Sequence, residues 1–109
     1  MFSVDRCFEN KYIYNMPIFS YQIKLYLPEC HSLKEKRGVL LRFRSTIQNK
    51  FQISSAELDF QDKWQSSLIG MVWVTSDLKV GQKMFEDIKK FINTEFPFVF
   101  MEHEEFEIL

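Results

Sequence analysis

Two short polar stretches hold most of the side chains able to do chemistry. His31-Ser32-Leu33-Lys34-Glu35-Lys36-Arg37 puts an imidazole, a hydroxyl and three cations close together, and Asp59-Phe60-Gln61-Asp62-Lys63-Trp64-Gln65 puts two carboxylates, two amides and an indole close together. Asp59 and Asp62, with Glu57 nearby, are oxygen groups of the kind that hold a divalent cation or move a proton. The competing and preferred reading is an internal clasp, in which these acids pair with Lys36 or Arg37. His31 stands just outside Ser32 and His103 lies in an acidic terminal segment, so no ligand pair at metal spacing exists. Cys30 adjoins His31, but side chains adjacent in sequence rarely align, and no third group is present to orient them. Without a nucleophile, a phosphate loop or a complete metal set, the chain reads as a non-enzyme that needs no cofactor and no metal.

Phosphate binding is the other chemistry these residues suit. From Ser32 to Phe51 the chain carries Lys34, Lys36, Arg37, Arg42, Arg44 and Lys50 against Glu35 alone, a surplus of five positive charges. A basic helix on a nearly neutral protein can meet a phosphate backbone, although a charge run is more often a solvated face. Trp64 could stack an unpaired base, or it could close the edge of the core. The segment LIGMVWV, at 68–74, lacks the basic-Gly-aromatic signature of an RNA-recognition motif, so any RNA contact would be of another kind.

The elements that must position these groups are legible in the patterning. Residues 18–27 alternate Phe19, Tyr21, Ile23, Leu25 and Leu27 against Ser20, Gln22 and Lys24, which predicts a half-buried strand closed by Pro28. Ser32 with Glu35 forms a capping box, and Leu40, Phe43, Ile47 and Phe51 continue a helix from Leu33 to about Lys50. Lys36 and Arg44 fall beside that apolar stripe, which predicts that their charges are used within the protein. Residues 53–60 and 64–75 read as a hairpin, the second strand apolar in both phases. Ser76 or Asp77 then caps a helix whose Met84, Ile88, Phe91 and Ile92 face the core, Pro97 stops it, and the remaining segment closes as a strand of unassigned register.

This order, βαββαβ, predicts an α+β ferredoxin-like fold: a four-stranded antiparallel sheet in order 4-1-3-2 with two helices on one face. It also brings the end of the first strand, the start of the first helix and the hairpin to one edge of the sheet. The expected binding edge is therefore His31, Ser32, Lys34, Lys36, Arg37, Asp59, Gln61, Asp62, Trp64 and Gln65. Ile69, Met71 and Trp73 are expected on the uncovered sheet face, as an interface for a homodimer or another partner.

The pattern HSLKEKR, then D-x-Q-D-x-W-Q within a βαββαβ frame, resembles the YlxP-like family, a bacterial domain of unknown function with a ferredoxin-like fold. The resemblance runs from Pro17 to Leu109. It implies a small cytoplasmic protein with no assigned chemistry, and, from the translation genes beside which its members often lie, contact with RNA or the ribosome. Gly38 and Ser66 stand where the family pattern would carry basic residues. A small binding module that touches RNA or the ribosome is the leading expectation. The alternative is a self-associating structural or regulatory domain using its open sheet face.

Composition narrows the rest. The chain has 109 residues, enough for one domain, and its net charge of −1 excludes a generally basic nucleic-acid binder. Cys7 and Cys30 form no disulfide framework, the start of the chain lacks the apolar stretch of a signal peptide, and no apolar run is long enough to cross a bilayer. These features lead us to expect a cytoplasmic protein without membrane contact. Residues 1–17 precede a complete strand without sustained periodicity and are expected to be a flexible, dispensable extension to the single domain at 18–109.

Overall fold

Alternation in the first strand is resolved into a covered and an uncovered side. In the computed structural model, which describes residues 16–109, β1 (Ile18–Tyr26) buries Phe19, Tyr21, Ile23 and Leu25 completely, while the residues between them remain partly or fully exposed. The expected N-terminal extension lies, up to Asn15, outside the described residues. Then follow α1 (Leu33–Phe51), β2 (Ser54–Asp59), β3 (Ser66–Val74), α2 (Leu78–Glu95) and β4 (Phe100–Ile108). The strands form one sheet in the order β2-β3-β1-β4, every neighbouring pair antiparallel. This is the expected ferredoxin-like topology.

Helix ends are set by local chemistry. Ser32 Oγ accepts the Glu35 N–H at 3.1 Å, and Glu35 in return accepts the N–H of His31 at 3.2 Å, one residue earlier than in the usual capping box. Gln52, in the left-handed region at φ 55°, ends α1, its N–H bonded to the Gln48 carbonyl. Asp77 caps α2 by accepting the Lys79 N–H at 2.6 Å.

Both helices cover the same side of the sheet. Leu40, Phe43 and Ile47 of α1 and Ile88 and Ile92 of α2 join the inward residues of β1 and β3 in one core. An aromatic stack reinforces it: Phe19 lies parallel to Trp73 with centroids 5.8 Å apart, and Phe85 lies on Phe106 at 3.9 Å. The α2 backbone approaches this stack so closely that a Cβ on Gly81 would overlap the Phe19 ring. Trp73 Nε1 donates to the Gly81 carbonyl at 3.2 Å.

Here the expected interface is corrected. Ile69, Met71 and Trp73 are all buried beneath the helices, and the uncovered phase of β3 is Leu68, Gly70, Val72 and Val74. Cross-strand pairing decides it: Trp73 and Met71 lie opposite Phe19 and Tyr21, the fully buried side of β1. Strand β4 adds Phe106 and Met101 to the helix side and pairs with β1, with a register shift between Lys24 and Leu25. Among the described residues, no helix is long and apolar enough to cross a membrane.

Candidate functional site

The start of α1 and the β2–β3 hairpin meet at one edge, as the topology requires, and a buried cation joins them. Lys36 is 1% exposed, in the same helical phase as Leu40, Phe43 and Ile47. Its Nζ lies 2.9 Å from Glu57 Oε2 and donates to the carbonyl of Phe60. Glu57 also accepts the Ser67 hydroxyl at 2.7 Å. An internal clasp therefore exists, but its acid is Glu57 rather than Asp59 or Asp62. Glu57 lies opposite Ile69, on the helix side, and a register irregularity between Glu57 and Asp59 carries the later acids out of reach.

The turn beyond is held from several directions. Phe60 takes a left-handed φ of 66°, unusual for a residue with a Cβ, and its N–H donates to Asp59 Oδ1 at 2.7 Å. Its carbonyl accepts the Lys63 N–H at 3.0 Å as well as Lys36. On the other side of the hairpin, the Leu27 N–H donates to the Gln65 carbonyl at 2.9 Å, and Gln65 Nε2 donates to the Pro28 carbonyl at 3.0 Å. Satisfying the left-handed Phe60 on both its polar groups makes its conformation tolerable.

The ten expected edge residues thus divide by role. Ser32, Lys36, Asp59 and Gln65 spend their polar groups inside the protein, and Gln61 Nε2 reaches the Glu57 carbonyl at 3.5 Å. His31, Lys34, Arg37, Asp62 and Trp64 are exposed. Trp64 is 53% exposed, so it does not close the core edge. Lys34, Arg37 and Lys63 take part in none of the ion pairs among the described residues. Arg44, counted in the basic surplus, is turned inward to Ser55, donating to its hydroxyl at 3.0 Å and its carbonyl at 2.7 Å. Arg42 lies over the Phe98 ring and Lys50 over Phe91; both are exposed, and Lys34 and Arg37 are the exposed cations in the first turns of α1.

Two features were missed by sequence reasoning. Glu57 appeared only as a neighbour of the acids, because a charged residue alternating with Ala56 and Leu58 reads as solvent-facing until the register is known. A groove of about 840 Å³ runs beside the start of α1, lined by Leu27, Glu29, Lys34, Gly38, Arg42 and Phe98 among others. Gly38, a departure from the basic pattern, contributes open space there, with nothing within 4 Å of the position of an added Cβ. Cys30 also borders this groove but is buried, and burial pushes its thiol pKa up, away from the reactive thiolate. Among the described residues, no three His, Cys, Asp or Glu side chains come together to hold a metal ion.

The arrangement has counterparts among known proteins. A family model described as "Protein of unknown function (DUF503)" matches residues 18–105, from the start of β1 through both helices and into β4. This chain belongs to that family. It is also 41% identical over 63 residues to the uncharacterized protein YlxP of Bacillus subtilis (strain 168), an alignment covering 58% of this chain and 68% of that relative. The YlxP-like resemblance read from HSLKEKR and D-x-Q-D-x-W-Q is therefore shown, and the family carries no assigned activity.

Proposed function

We propose that this protein is a non-enzymatic binding module that contacts single-stranded RNA, free or within the ribosome, along the edge formed by the α1 start and the hairpin. The exposure of Trp64 on a clasped hairpin carries the reading: an indole about half in solvent on a braced turn suits base stacking, and Lys34, Arg37 and Lys63 supply uncommitted cations for phosphates. Lys36 belongs to the support, because its ammonium is occupied by Glu57 and the Phe60 carbonyl. The sheet face that RNA-recognition motifs use is unsuited, since Glu105 and Glu107 flank it and its centre offers Gln22, Gly70 and Val72 instead of aromatic rings.

Fluorescently labelled single-stranded RNA titrated with the protein at several salt concentrations tests this. Each phosphate neutralised on a single strand contributes about −0.7 to the slope of log affinity against log salt, so removing Lys34 and Arg37 together should flatten it by roughly one to two units. Trp64→Ala should lower affinity by about 1–3 kcal/mol with little change of slope, because stacking is not ionic. Undetectable binding by the unmodified protein at low salt would refute the reading.

A further inference from the structure

The sheet face turned away from the helices is a trough with two unlike banks. Its floor is small or polar, made of Ser20 and Gln22 of β1 beside Gly70 of β3. Leu58 of the neighbouring strand leans over Gly70, its Cδ1 2.7 Å from where a Cβ on that glycine would lie. One bank is apolar, built from Leu58, Val72 and Val74, each close to half exposed. The other is acidic, built from Glu105 and Glu107 of β4, which lie opposite Gln22 and Ser20 and are exposed. Two hollows, of about 260 and 310 Å³, lie along the two banks, one on each side of the low ridge formed by Ser20 and Gln22 of β1.

The dimensions suit a helix. From β3 across β1 to β4 is two strand spacings, about 9.6 Å, so side chains of one helix of roughly 10 Å diameter lying over β1 can reach both banks. Charge selects which helix. The lysine on this face, Lys24, is already 3.3 Å from Glu102 and lies over the Phe60 ring, and His103 is 3.4 Å from Glu105, so Glu107 has no cationic partner among the described residues. A second copy laid face to face would bring acids and apolar groups without a complement for those glutamates, and nucleic acid would be repelled. Exposed apolar side chains on an uncovered face mark a contact surface. Edge-to-edge pairing through β2 is disfavoured, because Arg44 and Gln61 side chains already donate to the Ser55 and Glu57 carbonyls.

We propose that this trough docks a basic amphipathic helix of a protein partner, its apolar stripe against Leu58 and Val72 and its Lys or Arg residues on Glu105 and Glu107. The surface is separate from the Trp64 edge, and neither reading depends on the other.

Two synthetic peptides of about 18 residues, long enough to hold a helix, test it. They share one leucine stripe, and the polar positions are all Lys in one and all Glu in the other. Each is titrated into the ¹⁵N-labelled full chain. The Lys peptide should bind and shift the amides of Ser20, Gln22, Gly70 and Val72. Val72→Ser, at an exposed position, should weaken binding about ten-fold, whereas Trp64→Ala should leave it unchanged. The exchange of both Glu105 and Glu107 for Lys should transfer the preference to the Glu peptide. Equal binding of the two peptides, shifts gathered around Trp64, or a preference unmoved by the exchange would overturn the proposal. So would a dimer of the unmodified chain in sedimentation that Val72→Ser dissolves, since that would assign the trough to a second copy. Circular dichroism of each variant identifies any that has unfolded, and the mild Val72→Ser and the surface exchange probe the two banks separately.

Discussion

Replacing Lys36 by Met asks how much the fold depends on the clasp beneath the hairpin. The methionine keeps the apolar stem among Leu40, Phe43 and Ile47 but removes an ammonium that is 1% exposed. Two groups each lose one partner: the Phe60 carbonyl and the Glu57 carboxylate, which keeps only the Ser67 hydroxyl. Breaking one side of a buried pair typically costs about 3–5 kcal/mol. Glu57 is 19% exposed and can recover some hydration, and the Phe60 carbonyl retains the Lys63 N–H, so the lower end, about 3 kcal/mol, applies. For a domain of this size that is a fall in Tm of roughly 10–20 °C. Glu57→Gln should cost less, about 2 kcal/mol, because its amide oxygen can still accept from Lys36. The double variant Lys36→Met with Glu57→Leu leaves neither charge behind and should be more stable than Lys36→Met alone, a coupling of about 1–3 kcal/mol. Asp59→Asn, which touches only the neighbouring Phe60 N–H, should cost about 1 kcal/mol or less. Urea melts followed by circular dichroism, run on these four and on Glu57→Leu alone to close the cycle, give all the values on one scale. A Lys36→Met cost below about 1 kcal/mol, or singles that add without coupling in the double, would show that the pair does not hold the hairpin.

Other outcomes follow from local packing and titration. Gly81→Ala should destabilise by about 1–3 kcal/mol, because the new methyl overlaps Phe19, itself packed against both Trp73 and Phe106, whereas Gly38→Ala, facing open space, should stabilise α1 by up to about 1 kcal/mol; thermal melts should shift in opposite directions. Glu104 accepts the buried Tyr21 hydroxyl, and that bond foremost, with help from Lys89, holds its pKa below the ordinary carboxylate value. Its folded pKa being the lower one, the associated stability is present above the ordinary value and is lost as the pH falls through the depressed one; Glu104→Gln should therefore flatten the acid limb of a stability–pH curve. Tyr21 is raised, mainly by burial and then by Glu104, so its contribution is present below the ordinary phenol range and is lost as the pH rises through it, a loss that Tyr21→Phe should abolish. Trp64→Ala should leave the urea midpoint within about 0.5 kcal/mol of the unmodified protein, because the side chain is half in solvent and supports no core contact.

What the amino-acid sequence determined by itself was whatever depends on neighbours along the chain and on backbone chirality. Ser32 and Glu35 start α1 through bonds spanning three or four residues, Asp77 starts α2 through one spanning two, and the alternation from Phe19 to Leu25 needs no partner to be a strand. The order of these elements and the handedness of their crossovers then leave one economical sheet, and with it the meeting of the α1 start with the hairpin. The tertiary structure decided the questions with two locally equivalent answers. Strand β3 is apolar in both phases, so periodicity offers Ile69, Met71 and Trp73 or Leu68, Val72 and Val74 as the buried set. Only pairing with β1, and the room for an indole beside Gly81, puts the first set under the helices. The acids of the hairpin are equally ambiguous along the chain. Glu57 becomes the partner of Lys36 because its register opposite Ile69 turns it inward, while the irregularity after it turns Asp59 outward. A register shift of one residue exchanges the two faces of a strand at almost no local cost, so which side chains meet is set by cross-strand pairing and by the volume available beneath the helices.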